Sequence, residues 1–194
     1  MRAISALFAV LFVATVASAD SAEWVIDPSH SHVGFSVSHM VVSSVSGRFK
    51  DVTGKVALDD ADLTKSQIDI TIKADSIDTD EPKRDAHLKS PDFFDAAKFP
   101  TLTFHSTKIV RGGKGFKLTG DLKIRDVTKS VTLDGTLSKP VNNPFAAGKQ
   151  IRAAAFEGKI RRGDFGLKWN KSLDTGGVVV GDDVTLDIQV ELDK

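Results

Sequence analysis

The sequence predicts an all-β protein in which eight antiparallel strands close into a barrel that carries one short helical insertion. Apolar and polar residues alternate through most of the chain after residue 19, and such alternation puts successive side chains on opposite faces of a strand. Short connections between the alternating runs favour antiparallel neighbours. An up-and-down barrel is the natural closure of a sheet built in this way.

The two clearest strands lie at residues 116–125 and 184–192. In the first, Phe116, Leu118, Gly120, Leu122 and Ile124 share one face, whereas lysine, threonine, aspartate and arginine side chains occupy the other. Six further runs follow the same logic, at 32–37, 45–58, 68–73, 101–107, 131–137 and 152–160. In the run 45–58 the apolar positions change from odd to even near Asp51, which predicts a bulge or bend there.

The insertion covers residues from about 80 to 98. Ser90 is suited to the N-cap position, Pro91 to the first helical position and Asp92 to the first turn. These three residues predict a helix that begins at Ser90.

The first nineteen residues have the composition of a secretory signal peptide. Arg2 precedes an apolar stretch at 3–16, and Ala17-Ser18-Ala19 supplies the small residues of a cleavage site. The apolar stretch is shorter than the roughly 20 residues that span a bilayer. We therefore expect a leader at 1–19, a single mature domain at 20–194, and no integral membrane segment after cleavage.

Composition excludes several functions. The chain has no cysteine, which removes disulfides, thiol catalysis and thiolate metal sites. It carries 26 basic and 26 acidic residues, so no overall field attracts nucleic acid or an anionic membrane surface. We expect neither partner.

The aromatic residues indicate where the apolar face points. Outer-membrane barrels carry aromatic girdles, but this chain has two tryptophans and no tyrosine, so its apolar face is predicted to lie inside. An eight-stranded barrel can be filled by side chains or hold one small ligand, and the strand pattern does not choose between them. Twelve phenylalanines, all but Phe8 and Phe12 outside the leader, favour an apolar pocket.

Five segments in fixed order resemble the YceI-like family, which comprises secreted bacterial proteins with a lipocalin-like barrel that bind polyisoprenoids and related lipids. The segments read D-P-S-H-S-H-V-G-F at 27–35, G-R-F at 47–49, R-D-A-H-L-K-S-P-D-F-F-D-A-A-K-F-P-T-L-T-F at 84–104, G-D-L-K-I-R-D-V-T-K at 120–129 and R-R-G-D-F-G-L at 161–167. The resemblance implies a periplasmic protein that sequesters or carries a polyisoprenoid or another long-chain amphiphile in an elongated apolar cavity. It also permits a homodimer.

On this interpretation the cavity wall and its polar mouth can be assigned. The predicted wall consists of Phe35, Phe49, Ile70, Phe93, Phe94, Phe99, Phe104, Leu118, Leu122, Leu133, Phe156, Phe165 and Trp169. The predicted mouth consists of Arg84, Asp85, His87 and Arg162. Two hypotheses explain these polar residues: they hold a lipid headgroup, or they form a network that fixes the insertion and the barrel rim.

We predict no catalytic residues, no metal site and no cofactor. His30 and His32 form an H-x-H pair with His39 seven residues on, but the sequence supplies no carboxylate at ligand spacing to complete a site. Asp85 and His87 could act as a base and its partner, yet no serine stands in a G-x-S-x-G turn. Two alternatives stay open: a hydrolase or metal-dependent enzyme using these His and Asp residues, and a ligand-free structural or stress protein with a filled interior.

Overall fold

The computed structural model describes residues 21–174 and 176–194. These residues contain eleven strands, one α-helix and three 3₁₀ turns. The predicted leader and its cleavage site lie outside these residues. The strands are β1 (Ala22–His39), β2 (Ser43–Phe49), β3 (Val52–Leu58), β4 (Gln67–Lys73), β5 (Ile77–Asp78), β6 (Thr101–Gly112), β7 (Gly115–Ile124), β8 (Val127–Leu137), β9 (Val141–Asn142), β10 (Gln150–Arg161) and β11 (Val180–Asp193). The helix is α1 (Pro82–Lys89), and the 3₁₀ turns are Leu63–Lys65, Ala74–Ser76 and Arg162–Phe165.

Eight antiparallel strand positions close the barrel, as the sequence predicts, and β2 and β3 together occupy one of them. The order around it is β1, then β2 with β3, then β4, β6, β7, β8, β10 and β11, and β11 pairs again with β1. The closing seam joins the two ends of the chain, with Val33 opposite Ile188 and Ile26 opposite Leu192. Both pairs put apolar side chains towards the interior.

The predicted bend near Asp51 is a break between two strands that act as one wall. β2 pairs with the second half of β1, Val33 opposite Phe49, whereas β3 pairs with its first residues, Trp24 opposite Val56. The change of apolar parity at this point is confirmed, because Phe49 and Val52 both face the interior although three positions separate them.

β1 is much longer than the predicted run 32–37. Its pairing with β11 shifts register between Asp27 and His32, so residues 28–31 bulge from the ladder. Pro28 has no N–H to donate, and the polar sequence of the bulge hides the alternation that Trp24 and Ile26 would otherwise begin.

The helix begins nine residues before the predicted start, with its N-cap at residue 81 rather than 90. Glu81 is its N-cap and accepts from the Lys83 N–H, Pro82 takes the first helical position, and Ser90 is the C-cap. The prediction that Ser90 begins the helix is wrong. Proline disfavours helical geometry in the residue before it, so Pro91 ends α1 at Ser90, whose ψ is 171°. Residues 91–94 and 96–98 form turns.

Within the described part of the chain, no helix is long and apolar enough to cross a bilayer.

Candidate functional site

One apolar cavity runs through the interior of the barrel. It has a volume of about 230 Å³, larger than the roughly 150 Å³ engineered cavity that stays dry and binds benzene. Its wall extends from Ile26 and Leu192 near one end of the barrel to Phe94 and Val180 at the other, where α1 and the loop after β10 lie. Among the described residues, Arg162 contributes the one charged side chain on this wall.

Most of the predicted wall residues line this cavity. They are Phe35, Phe49, Ile70, Phe93, Phe94, Phe104, Leu118, Leu122, Leu133 and Phe156. The strands position them by alternation, and Leu118 on β7 lies directly opposite Leu133 on β8. Whether they contact a ligand is part of the proposal below.

Glycines on the inner face make room for these phenylalanine rings. A Cβ atom on Gly120 would lie 2.3 Å from the ring of Phe104, and one on Gly135 would lie 2.7 Å from the ring of Phe116. The rings therefore occupy the space that a side chain at these positions would need, and a larger residue would displace them.

Three predicted wall residues do not line the cavity. Phe165 is fully buried in the 3₁₀ turn Arg162–Phe165, where it packs in the core beside the cavity. Trp169 lies in the following loop against the rings of His87 and Phe93. Phe99 lies under the guanidinium of Arg125, 5.4 Å from its ring centre. All three come from segments outside the strands, where alternation gives no inward direction.

The predicted wall lacks one whole side of the observed cavity. Five β11 residues line the cavity: Val184, Leu186, Ile188, Val190 and Leu192. The sequence carries the signal for them, because the same residues define the second of the two clearest alternating runs. The predicted wall consists mainly of aromatic residues, and β11 is aliphatic.

Arg84 and Asp85 are joined in a network centred on Thr79. The Arg84 guanidinium donates from Nε to Thr79 Oγ1 and from Nη2 to the Thr79 carbonyl, both at 2.8 Å. The Asp85 carboxylate accepts from the Thr79 N–H at 2.9 Å and from its hydroxyl. Since Thr79 is buried and directly follows β5, which pairs with β2, this network anchors α1 to that strand pair.

Removing the carboxylate of this network should loosen the insertion without altering ligand choice. We expect Asp85→Ala to lower stability by about 1–3 kcal/mol, because the buried Thr79 loses the acceptor for its N–H and hydroxyl. Thermal melts would measure the loss. Asp75→Ala, which removes an exposed carboxylate four residues before Thr79, should change the melting temperature little. Equal melting temperatures for the two variants would contradict a structural role for Asp85.

His87 is held by both polar and aromatic contacts. Its Nε2 lies 2.9 Å from Asp92 Oδ2, and its ring packs edge-on against Phe93 and Trp169. The side chain therefore joins α1 to the turn after it and to the loop after β10.

Arg162 is the most completely bonded side chain of the predicted mouth. It is only 6% exposed, and a guanidinium has five N–H groups to donate. Five acceptors surround it: the carbonyls of Gly181, Leu167, Trp169 and Val180 at 2.6–3.2 Å, and Asp182 Oδ1 at 3.4 Å. Burial lowers the pKa of Arg162 below its ordinary value, against the opposing effect of Asp182.

The polar contacts of the mouth favour the hypothesis of a structural network over that of a headgroup site. Arg162 already matches its donors to acceptors within the protein, and Arg84 directs Nε and Nη2 at Thr79. A headgroup would have to displace these bonds.

The three histidines of the first strand do not act together. His32 lies over Gly34, His39 pairs across the sheet with Ser43 and Val180, and His30 sits in the bulge of β1. The prediction that no carboxylate stands at ligand spacing is wrong for His30, because Asp27 and Glu191 both approach it. Hydrogen bonds from Ser29 and His30 lower the pKa of Asp27 to about 2, and the Asp27 carboxylate raises the pKa of His30.

Known proteins resemble this chain over nearly all of its described residues. A family model described as the YceI-like domain matches residues 24–192. Protein YceI of Escherichia coli O17:K52:H18 (strain UMN026 / ExPEC) is 38% identical over 153 residues, which are 78% of this chain and 79% of that protein.

Two solved structures share the fold. The Campylobacter jejuni YCEI protein superimposes with a TM-score of 0.69 at 34% identity, over 81% of this chain and 89% of that one. A polyisoprenoid binding domain from Saccharophagus degradans, implicated in plant cell wall breakdown, gives a TM-score of 0.61 at 15% identity, over 87% and 97% of the two chains.

Proposed function

The chain belongs to the YceI-like family, and from this premise we propose that it is a binding protein whose barrel sequesters or carries a long-chain amphiphile of the polyisoprenoid class. The observation that carries the proposal is the continuous apolar cavity inside the barrel. The S. degradans domain contributes less, because at 15% identity it supports only the capacity of this fold to hold such a chain.

Burial of the hydrocarbon chain supplies the binding energy. Each methylene removed from water contributes about 0.8 kcal/mol, so a few isoprene units offset the cost of immobilising the ligand. The wall presents aliphatic and phenyl groups, which neither donate nor accept hydrogen bonds, to the ligand. Recognition therefore depends on length and shape rather than on a polar group.

The headgroup is expected to matter little. Arg162, the charged residue on the wall, is occupied by backbone carbonyls, and Arg84 and Asp85 bond to Thr79. These engagements support binding without catalysis, in preference to an enzyme on the same barrel. The proposed place of action is the periplasm, and this part of the proposal depends on the signal-peptide pattern at residues 1–19.

A chain-length series tests this mechanism. After the costs of immobilisation the net gain is about 0.3 kcal/mol per heavy atom, or about 1.5 kcal/mol for the five carbons of an isoprene unit. For delipidated protein we therefore expect the affinity for prenyl alcohols to rise about tenfold with each added unit, until the cavity is full. Calorimetry or displacement of a fluorescent lipid would measure it. Prenyl phosphates of equal length should bind within a few fold of the alcohols. An affinity that ignores chain length, or that requires the phosphate, would contradict burial as the source of binding.

A further inference from the structure

Three potential metal ligands meet on the outer wall of the barrel, away from the cavity. Asp27 and His30 come from β1, and Glu191 comes from β11. His30 Nδ1 lies 2.6 Å from Asp27 Oδ2 and 3.7 Å from Glu191 Oε1. Among the described residues this is the one group of three such side chains whose ligand atoms all lie within 4.8 Å of one another.

The two carboxylates are direct neighbours across the closing seam. Asp27 and Glu191 are paired in register, and like charges directly opposite each other destabilise an antiparallel pair. Asp193 adds a further negative charge that acts on His30. A cation between the carboxylates would remove this repulsion, and the open side of the group faces solvent because the His30 side chain is 66% exposed.

Hydrogen bonds from the bulge orient the Asp27 side chain and fix the backbone at Glu191. The N–H and hydroxyl of Ser29 donate to Asp27 Oδ1 at 2.8 and 2.6 Å, so Oδ2 is the oxygen that faces His30. The Ser31 hydroxyl accepts the Glu191 N–H at 3.1 Å. The bulge at residues 28–31 brings His30 back over Asp27, and metal ligands are commonly oriented by outer hydrogen bonds of this kind.

We propose that Asp27, His30 and Glu191 bind a divalent zinc ion that fastens the β1–β11 seam. Tetrahedral zinc with bonds of about 2.0–2.1 Å separates its ligand atoms by roughly 3.3 Å. The two distances from His30 Nδ1, 2.6 and 3.7 Å, lie on either side of that value, and the exposed His30 side chain can move by this amount. Three protein ligands leave one coordination position open to solvent.

The choice of zinc follows from the ligands. An imidazole nitrogen suits zinc and its transition-metal neighbours, whereas magnesium and calcium prefer sites built only of oxygen. The site does not depend on lipid binding, because its side chains lie on the face of β1 and β11 opposite the cavity. Its effect should be mechanical, since the seam joins strands more than 150 residues apart in sequence.

Zinc titration of tag-free protein tests the proposal. We expect one saturable site by calorimetry, and a rise in melting temperature of about 5–10 °C at zinc one hundred times its Kd. Magnesium at the same concentration should leave the melting temperature unchanged. Hydrogen exchange of amides at 25–27 and 191–193 should slow with zinc, because the ion ties these strands together.

Variants identify the ligands. His30→Ala and Glu191→Gln should each weaken zinc binding at least tenfold while leaving the zinc-free melting temperature nearly unchanged, because both side chains lie on the outer wall. His105→Ala is the matched control: it removes another exposed histidine bonded to one aspartate, Asp69, outside the three-ligand group. Absence of saturable binding, or wild-type affinity in His30→Ala, or equal losses in His105→Ala, would overturn the proposal.

Discussion

Leu133→Asp should abolish ligand binding and lower the melting temperature by about 6–20 °C. Leu133 is 6% exposed, lines the cavity and lies opposite Leu118. An aspartate there loses the buried leucine contacts and puts a carboxyl group among apolar side chains, at a cost of about 3–5 kcal/mol. For a chain of this size each kcal/mol corresponds to about 2–4 °C.

The neighbouring residue provides the control. Thr132 lies one position earlier on β8 and is exposed on the outer wall, so Thr132→Asp adds the same charge to the opposite face. We expect this variant to melt close to the wild type and to keep its ligand. If Leu133→Asp behaved like Thr132→Asp, the assignment of inner and outer faces would be wrong.

Arg162→Gln should also be strongly destabilising. The buried guanidinium satisfies four backbone carbonyls and one carboxylate oxygen, and a glutamine amide can donate to two acceptors at most. Each buried acceptor left without a partner costs about 1–3 kcal/mol. We expect a total loss near 3–5 kcal/mol, measured by denaturant unfolding, since such costs are not additive.

The same variant distinguishes a structural role of the mouth residues from a role in binding a headgroup. If Arg162 holds the rim together, Arg162→Gln should weaken binding of a prenyl phosphate and of the matching alcohol equally. Arg161→Gln, which removes the adjacent exposed guanidinium, should stay within about 0.5 kcal/mol of wild-type stability. A selective loss of the phosphate, with stability unchanged, would restore the headgroup role for Arg162.

The barrel could be predicted because its information is local and repeated. Alternation at 116–125 and 184–192 marks β7 and β11 and fixes which side chains face inward. The parity change near Asp51 likewise marks the passage from β2 to β3. Each of these patterns follows from the two-residue period of a strand, which needs no knowledge of the partner strand.

Predictions failed where the outcome depended on competition between local signals. Ser90 has the chemistry of an N-cap, but Glu81-Pro82 supplies an earlier start and Pro91 ends the helix at Ser90. The bulge at 28–31 hid the first half of β1 for a similar reason, since its polar residues interrupt the alternation.

The candidate site was only partly predictable. Inward-facing strand residues such as Phe104 and Leu122 follow from alternation, whereas Phe165 and Trp169 lie on turns whose direction depends on tertiary packing. The role of Arg162 was hidden because four of its five acceptors are backbone carbonyls, which every residue possesses. The approach of Glu191 to His30 was hidden by the 161 positions between them.

Native mass spectrometry of protein purified without detergent tests the central claim most directly. The account predicts a population that carries one non-covalent ligand, released on denaturation, and organic extraction should identify it as a long-chain, largely hydrocarbon molecule of the polyisoprenoid class. Leu133→Asp should lack that population. A wild-type protein that carries no ligand and takes up no added polyprenol would contradict the account and favour a filled, purely structural barrel.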